Sequence, residues 1–255
     1  MRMILAVMYR EFRIRTTSLT WAFFDLVMPL VYLLLFGVGL DGAFASGVEF
    51  QGTAISYKTF FLAGVLSMAS FGIAINTSYG FFVDRDNGLF YEFLTYPMTR
   101  SQFLVGKILF NCLLSLGQSV FTMALGIVLL DIDIHWENAF FILCGIILGT
   151  AGWFFFLVPF ALRIRRNDMF NTFINVVYFV LMFASSLFYP LEQLPGWLRN
   201  VSYANPLTWH TDALRYATVA VGSLDVVMIE AMAFLVFLAA SFWFAVHTLH
   251  RGVLK

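Results

Sequence analysis

AFFILCGIILGTAGWFFFLVPFAL, residues 139–162, contains no Asp, Glu, Lys or Arg from end to end, while Glu137 stands just before it and Arg163 just after. A helix rises about 1.5 Å per residue and the hydrocarbon of a bilayer is about 30 Å thick, so about 20 apolar residues suffice to cross. The stretch reads as a membrane-spanning helix with its charges held at the two water boundaries. The same test, applied outward along the chain, picks residues 19–40, 60–83, 106–130, 170–189 and 226–247. The expectation is an all-α integral membrane protein with six transmembrane helices, forming one domain over residues 1–255.

Composition agrees. The chain is 61% hydrophobic and 12% charged, against about 25% charged in soluble domains. Its 15 basic and 15 acidic residues cancel, which leaves no global electrostatic reason to expect nucleic acid as a partner. Cys112 and Cys144 lie in apolar runs without metal-ligand spacing and read as small core residues.

Lys and Arg resist translocation and collect on the cytoplasmic side. The apolar run at residues 3–9 is too short for a signal peptide and meets Arg10, Glu11, Arg13 and Arg15. With the amino terminus inside, all basic residues except Lys58, Arg199 and Arg215 fall inside. Both termini are then expected in the cytoplasm, in the inner membrane of a bacterium or archaeon.

Three non-spanning pieces remain. Residues 1–17 place Met1, Leu5, Met8 and Phe12 on one side and Arg2, Arg10 and Arg13 roughly opposite, the pattern of a helix lying in the headgroup layer. Residues 84–107 carry turn signals at Asn87-Gly88 and Pro97. Between those turns Leu89, Phe90, Phe93 and Leu94 recur at helical spacing beside Glu92, an apolar stripe that needs something to dock against. Residues 190–225 hold Pro195, Trp197, Tyr203, Pro206, Trp209 and Tyr216, too polar to span and too aromatic to float free, and are expected to dip back into the outer leaflet.

Together these pieces resemble the type 2 permease subunits of ABC exporters, the group with drug, nodulation-factor and polysaccharide exporters. Asp84, Arg85, Asp86, Gly88, Leu94, Thr95, Pro97, Arg100 and Gly106-Lys107 are similar to that family's coupling region. Leu194-Pro195, Asn205-Pro206-Leu207-Thr208 and Asp212-Ala213-Leu214-Arg215 are similar to its re-entrant segment at the outer face. The chain departs from the family at the loop: Leu89 stands where Thr is usual, and Glu92 lies one place beyond the usual acid, a turn of about 100° on a helix.

The resemblance implies a coupling contact with a separate ATPase subunit through Gly88, Leu89, Phe90, Glu92, Phe93, Leu94, Pro97 and Arg100. It also implies an outer cap built on Pro195, Asn205, Pro206, Leu207, Thr208, Asp212 and Arg215, and a second permease copy or paralogue across the path. ATP and Mg would be held by the partner ATPase and no cofactor by this chain. Consistent with that, the only Gly-Lys pair, Gly106-Lys107, precedes Ile108 and lacks the Ser or Thr of a phosphate loop. Asn171 and Asn175 share a face with Tyr178 and either line a pathway for an amphipathic substrate or bridge helices.

Gly145, Gly149 and Gly152 are expected to admit a neighbouring helix of the same chain, and Asp25 and Glu230 to find interfacial water or a local partner. Two other classes stay open from residues alone. One is a stand-alone proton-coupled carrier or channel. The other is an intramembrane enzyme using His247 and His250, whose place at the cytoplasmic end favours interfacial side chains.

Overall fold

A computed structural model describes residues 2–17, 19–44, 47–89, 92 and 95–252. Nine helices are present among them. Helix α1 (Arg2–Thr17) precedes α2 (Leu19–Tyr32), which continues through a π-helical stretch, Leu33–Val38, and a last turn, Gly39–Asp41. Strands β1 (Val48–Phe50) and β2 (Thr53–Ile55) follow, then α3 (Tyr57–Asp86), α4 (Arg100–Leu130), α5 (Ala139–Arg163) and α6 (Asn167–Phe183). Two shorter helices, α7 (Gly196–Tyr203) and α8 (Pro206–Val219), lead to α9 (Leu224–Gly252).

Among the described residues, five helices are long and apolar enough to cross a membrane: Phe23–Asp41, Tyr57–Asp86, Arg100–Leu130, Trp136–Arg163 and Leu224–Leu249. The sixth expected span, residues 170–189, is not one of them. It forms α6, which has 17 residues and stops at Phe183, a rise of about 25 Å at the lower end of what crosses a bilayer. The all-helical architecture carries one small addition, an antiparallel hairpin in which Val48 pairs with Ile55 and Phe50 with Thr53. Its tip, Gln51-Gly52, has both φ angles positive, at 47° and 80°, the backbone of a tight two-residue hairpin turn.

Helix α3 is buried along most of its length and forms the centre of the bundle. It packs along α5, whose other side takes α9, while α4 leans on both α3 and α5. Phe71 of α3 stacks on Trp153 of α5 with ring centroids 4.2 Å apart. The three α5 glycines admit neighbours from this chain, as expected. A Cβ on Gly145 would lie 2.7 Å from Leu214 Cδ2, one on Gly149 2.0 Å from His210 Nε2, and one on Gly152 3.1 Å from Phe234 Cζ.

Local signals set the helix ends. Thr99 and Gln102 form a reciprocal capping box at the start of α4, and Gly88, at φ +78°, ends the first turn after α3. The chain alternates between two ends of the bundle. At one lie α1, the α3–α4 connection and the last turns of α5 and α9; at the other lie the β-hairpin, α7 and α8, with His135 N–H donating to Thr218 O at 2.8 Å.

Candidate functional site

At the α1 end, the connection between α3 and α4 is tied at its roots. Lys107 Nζ, on α4, lies 2.9 Å from Glu11 Oε1 of α1 and 2.8 Å from Asp84 Oδ2 of α3. The lysine is 1% exposed. Arg10 closes the cluster with both guanidinium nitrogens on the Asp84 carboxylate, one of them at 3.0 Å from Oδ2, and lies 3.1 Å from Glu11 Oε1. A single residue upstream, Gly106 lets α1 reach this depth: a Cβ there would stand 2.9 Å from Val7 Cβ and 3.1 Å from Ile4 O.

The same connection reaches two more helices. Arg85 donates to the carbonyls of Ala161 and, at 2.8 Å, Ile164 at the end of α5. Arg100 donates at 2.9 Å to Leu249 O near the end of α9. Of the coupling residues expected from sequence, Leu89 and Glu92 are exposed helical residues, Pro97 is exposed, Gly88 makes the turn and Arg100 makes the α9 contact. Phe90, Phe93 and Leu94 lie outside the described residues.

The face of α1 that packs on the bundle is distinct from the apolar stripe expected to lie in the headgroup layer. Val7 and Glu11 are buried, whereas Leu5 and Phe12 are exposed; Met1 lies outside the described residues. Arg10, assigned to the polar side, turns inward because the buried carboxylate of Asp84 needs a cation.

At the opposite end, α7 and α8 form a short helical pair between Pro195, which caps α7, and the αL residue Ala220 after α8. Asn205 Oδ1 accepts from Leu207 N–H at 2.9 Å and caps α8, with Pro206 in the first helical position. Its Nδ2 donates to Leu181 O at 2.7 Å and Ala184 O at 2.6 Å, satisfying the carbonyls left open where α6 ends. Thr208 Oγ1 accepts from Ser186 N–H at 3.3 Å, and Leu207 is buried.

Arg215 is 0% exposed. It pairs with Asp212, donates to Ser186 O at 2.9 Å and Phe60 O at 3.3 Å, and lies over the rings of Phe60 and Phe50 at 3.9 and 4.7 Å. Burial pushes the Asp212 carboxyl up and the Arg215 guanidinium down, and each charge pulls the other back towards ionisation. Phe50 arrives on the β-hairpin, which sequence reasoning did not anticipate. The alternation of buried Val48 and Phe50 around exposed Glu49, followed by a glycine, is the signal that was there to read.

A third polar group sits between α2, α3 and α4. Asp25 Oδ2 meets Arg15 Nη1 at 2.8 Å, Asn76 Nδ2 donates to Asp25 Oδ1 at 2.6 Å, and the Gln118 amide donates to the Asp25 carbonyl. Asp25 thus has the local partner expected of it. Asp25, Asn76, Gln118 and Tyr178 line an open cleft of about 230 Å³. Tyr178 packs edge-on to Phe71 at 5.3 Å, whereas Asn171 and Asn175 lie on the exposed face of α6, bonded to Asn167 Oδ1 and Asn171 O. The structure therefore places the tyrosine in the cleft and the two asparagines outside it. His247 stacks on Trp243 at 5.1 Å.

The profile of the family described as ABC-2 type transporter matches residues 2–219. The chain is 29% identical over 196 residues to "Putative transport permease ycf38" of Cyanophora paradoxa, covering 75% of this chain and 65% of that one. It is 28% identical over 178 residues to "Probable multidrug ABC transporter permease YbhR" of Escherichia coli K12, covering 68% and 47%. With "Daunorubicin resistance ABC transporter permease protein DrrB1" of Streptomyces coeruleorubidus it shares 27% over 199 residues, covering 74% and 65%. The chain thus spans under two thirds of the length of these relatives.

Proposed function

The chain belongs to the ABC-2 type transporter family, and from that premise we propose that it is the membrane-spanning permease subunit of an ATP-driven exporter. It would move an amphipathic or lipid-linked substrate out of the cytoplasm or the inner leaflet, in a bacterial or archaeal inner membrane with both termini inside. Relatives whose names carry multidrug and daunorubicin resistance fit an amphipathic cargo. The path would run between two permease copies, and α6, with its exposed Asn171 and Asn175, is the helix with polar groups left for such a face.

The observation that carries the reading is the wiring of the α3–α4 connection. Asp84, Arg85, Arg100 and Lys107 join it to α1, α5 and α9 through ion pairs and hydrogen bonds. A partner ATPase that pushes on this connection when it binds ATP would move those helices as a unit. Coupling requires that ATP favour one arrangement over the other, since equal affinity for both shifts nothing. Gly106 and Lys107 are committed to packing α1 and joining carboxylates, which is a structural use for the only Gly-Lys pair.

The test is Phe90→Asp combined with Phe93→Asp in the permease co-expressed with its ATPase. Complex formation and permease-dependent ATP hydrolysis should fall several-fold while membrane insertion persists. Unchanged hydrolysis and unchanged assembly would remove the coupling assignment. Export by the purified chain without any ATPase would replace the whole reading with that of a stand-alone carrier.

A further inference from the structure

Glu230 of α9 differs from the other buried acids described above. Asp25, Asp84, Glu11 and Asp212 each face a cation. Glu230 is 7% exposed, and no donor among the described residues reaches its Oε2. A carboxylate withdrawn from water without a partner is unfavourable unless a proton or a cation joins it. Local packing alone gives no reason for an acid here, because its cavity neighbours Val226, Ile229 and Ala233 are apolar.

Those three residues, with Tyr203 and Trp209, enclose a cavity of about 300 Å³ beside the carboxylate. The indole is held in place: Trp209 Nε1 donates to Tyr203 O at 2.7 Å. Ile229 is 69% exposed, so the cavity opens on the outer surface of α9. A neighbouring cavity of about 450 Å³ shares Tyr203 and Val226 and adds Glu192 and Asp212. The charged groups around Tyr203 are Glu192, Arg199, Asp212 and Glu230. Arg215, paired with Asp212, also attracts Glu230 at longer range without a hydrogen bond to it, and Arg199 is on the exposed side of α7; three acids, Glu192, Asp212 and Glu230, thus face two arginines, which leaves the acids in excess.

A negative charge in a weakly screened site attracts a cation strongly, and aromatic faces add attraction for cations that they do not offer to anions or neutral molecules. One carboxylate without a cage of carbonyl oxygens does not make a site for a hard metal ion. Apolar walls open to the outer surface of α9 instead suit a cation that carries its own hydrocarbon.

We propose that the cleft between α7, α8 and α9 binds a lipophilic organic cation, with its positive centre on Glu230 between Tyr203 and Trp209 and its apolar part along Val226, Ile229 and Ala233. As a station for exported cargo the site rests on the export reading. As a binding site it does not, since it is defined by residues of this chain alone.

The experiment measures binding of radiolabelled tetraphenylphosphonium to the full chain in nanodiscs of uncharged lipid, without ATP and with empty nanodiscs subtracted. Saturable binding is expected. Triphenylphosphine oxide, similar in shape but uncharged, should fail to displace the cation at equal concentration. Glu230→Gln, which keeps size and removes charge, should weaken binding roughly tenfold or more, the scale of one ion pair near a protein surface, and Glu230→Asp should fall between. Absence of saturable binding, equal displacement by the neutral compound on the unaltered protein, or unchanged affinity in Glu230→Gln would each overturn the proposal. Because no ATPase is present, such a failure leaves the coupling test of Phe90 and Phe93 standing, and failure of that test leaves this one standing.

Discussion

Lys107 Nζ is 2.8 Å from Asp84 Oδ2, which joins α4, two turns from its start, to the last turn of α3 across the connection between them. The pair is buried, and Glu11 and Arg10 complete it. Removing one member of a buried ion pair leaves its partner uncompensated and costs about 3–5 kcal/mol.

Lys107→Ala should therefore destabilise the chain strongly, and α1 should detach from α4. Thermal melting in detergent and protease sensitivity after α1 would report it. Lys107→Met combined with Asp84→Leu, Glu11→Leu and Arg10→Met, which removes all four charges of the cluster, should recover much of the melting temperature while permease-dependent ATP hydrolysis stays low. Full recovery of hydrolysis would mean that the cluster holds the helices together without transmitting anything.

Gly149→Ala should be disruptive for a steric reason. Its Cβ would fall 2.0 Å from His210 Nε2, so the buried imidazole must be displaced or α5 and α8 must separate, at about 1–3 kcal/mol for overpacking. Adding His210→Ala should return part of that loss. A single Gly149→Ala that melts like the parent would contradict the packing of α8 on α5.

Asn205→Ala removes the α8 cap and leaves the carbonyls of Leu181 and Ala184 open. The cap alone is worth about 0.5–2 kcal/mol. Export should fall more than assembly, because the side chain joins the end of α6 to the start of α8. Normal export at reduced melting temperature would make the residue a structural cap only.

His210 gives a pH dependence whose sign is set by burial, which pushes the imidazole down to about 4 from its ordinary 6.5, against the pull of the Gly145 carbonyl. The folded chain holds the ring neutral while the unfolded chain protonates it from about pH 6.5 downwards. Its contribution is full above pH 6.5, is lost as pH falls, and levels off below about pH 4. The melting temperature should drop more between pH 7.5 and 5 in the parent than in His210→Gln. Parallel curves would show that the ring does not resist protonation.

The spans of α3, α4, α5 and α9 were legible because each is a long apolar run bounded by charge, and the glycines of α5 because small residues at helical spacing admit a neighbour. Helix α6 was read six residues too far: Ala184 to Tyr189 are apolar enough to continue a span, and only the carbonyls taken by Asn205 and the approach of Leu187 O to Gly64 end it. Those contacts are non-local. The Lys107 cluster was hidden for the same reason, since Glu11, Asp84 and Lys107 are scattered in sequence and meet only after three helices pack. In α1, periodicity identified a two-sided helix but not which side docks, because Val7 facing Gly106 is decided by the space the glycine leaves.

The short α6 also acts on the surrounding lipid. A helix about 5 Å shorter than the hydrocarbon layer is matched when the bilayer thins around it or when polar flanks reach inward. Arg166, Asn167 and Asp168, exposed at its first turn, would then mark a local depression of the headgroup layer next to the exposed Asn171 and Asn175. An amphiphile moving along that face would have less hydrocarbon to cross for its polar end than anywhere else around the bundle.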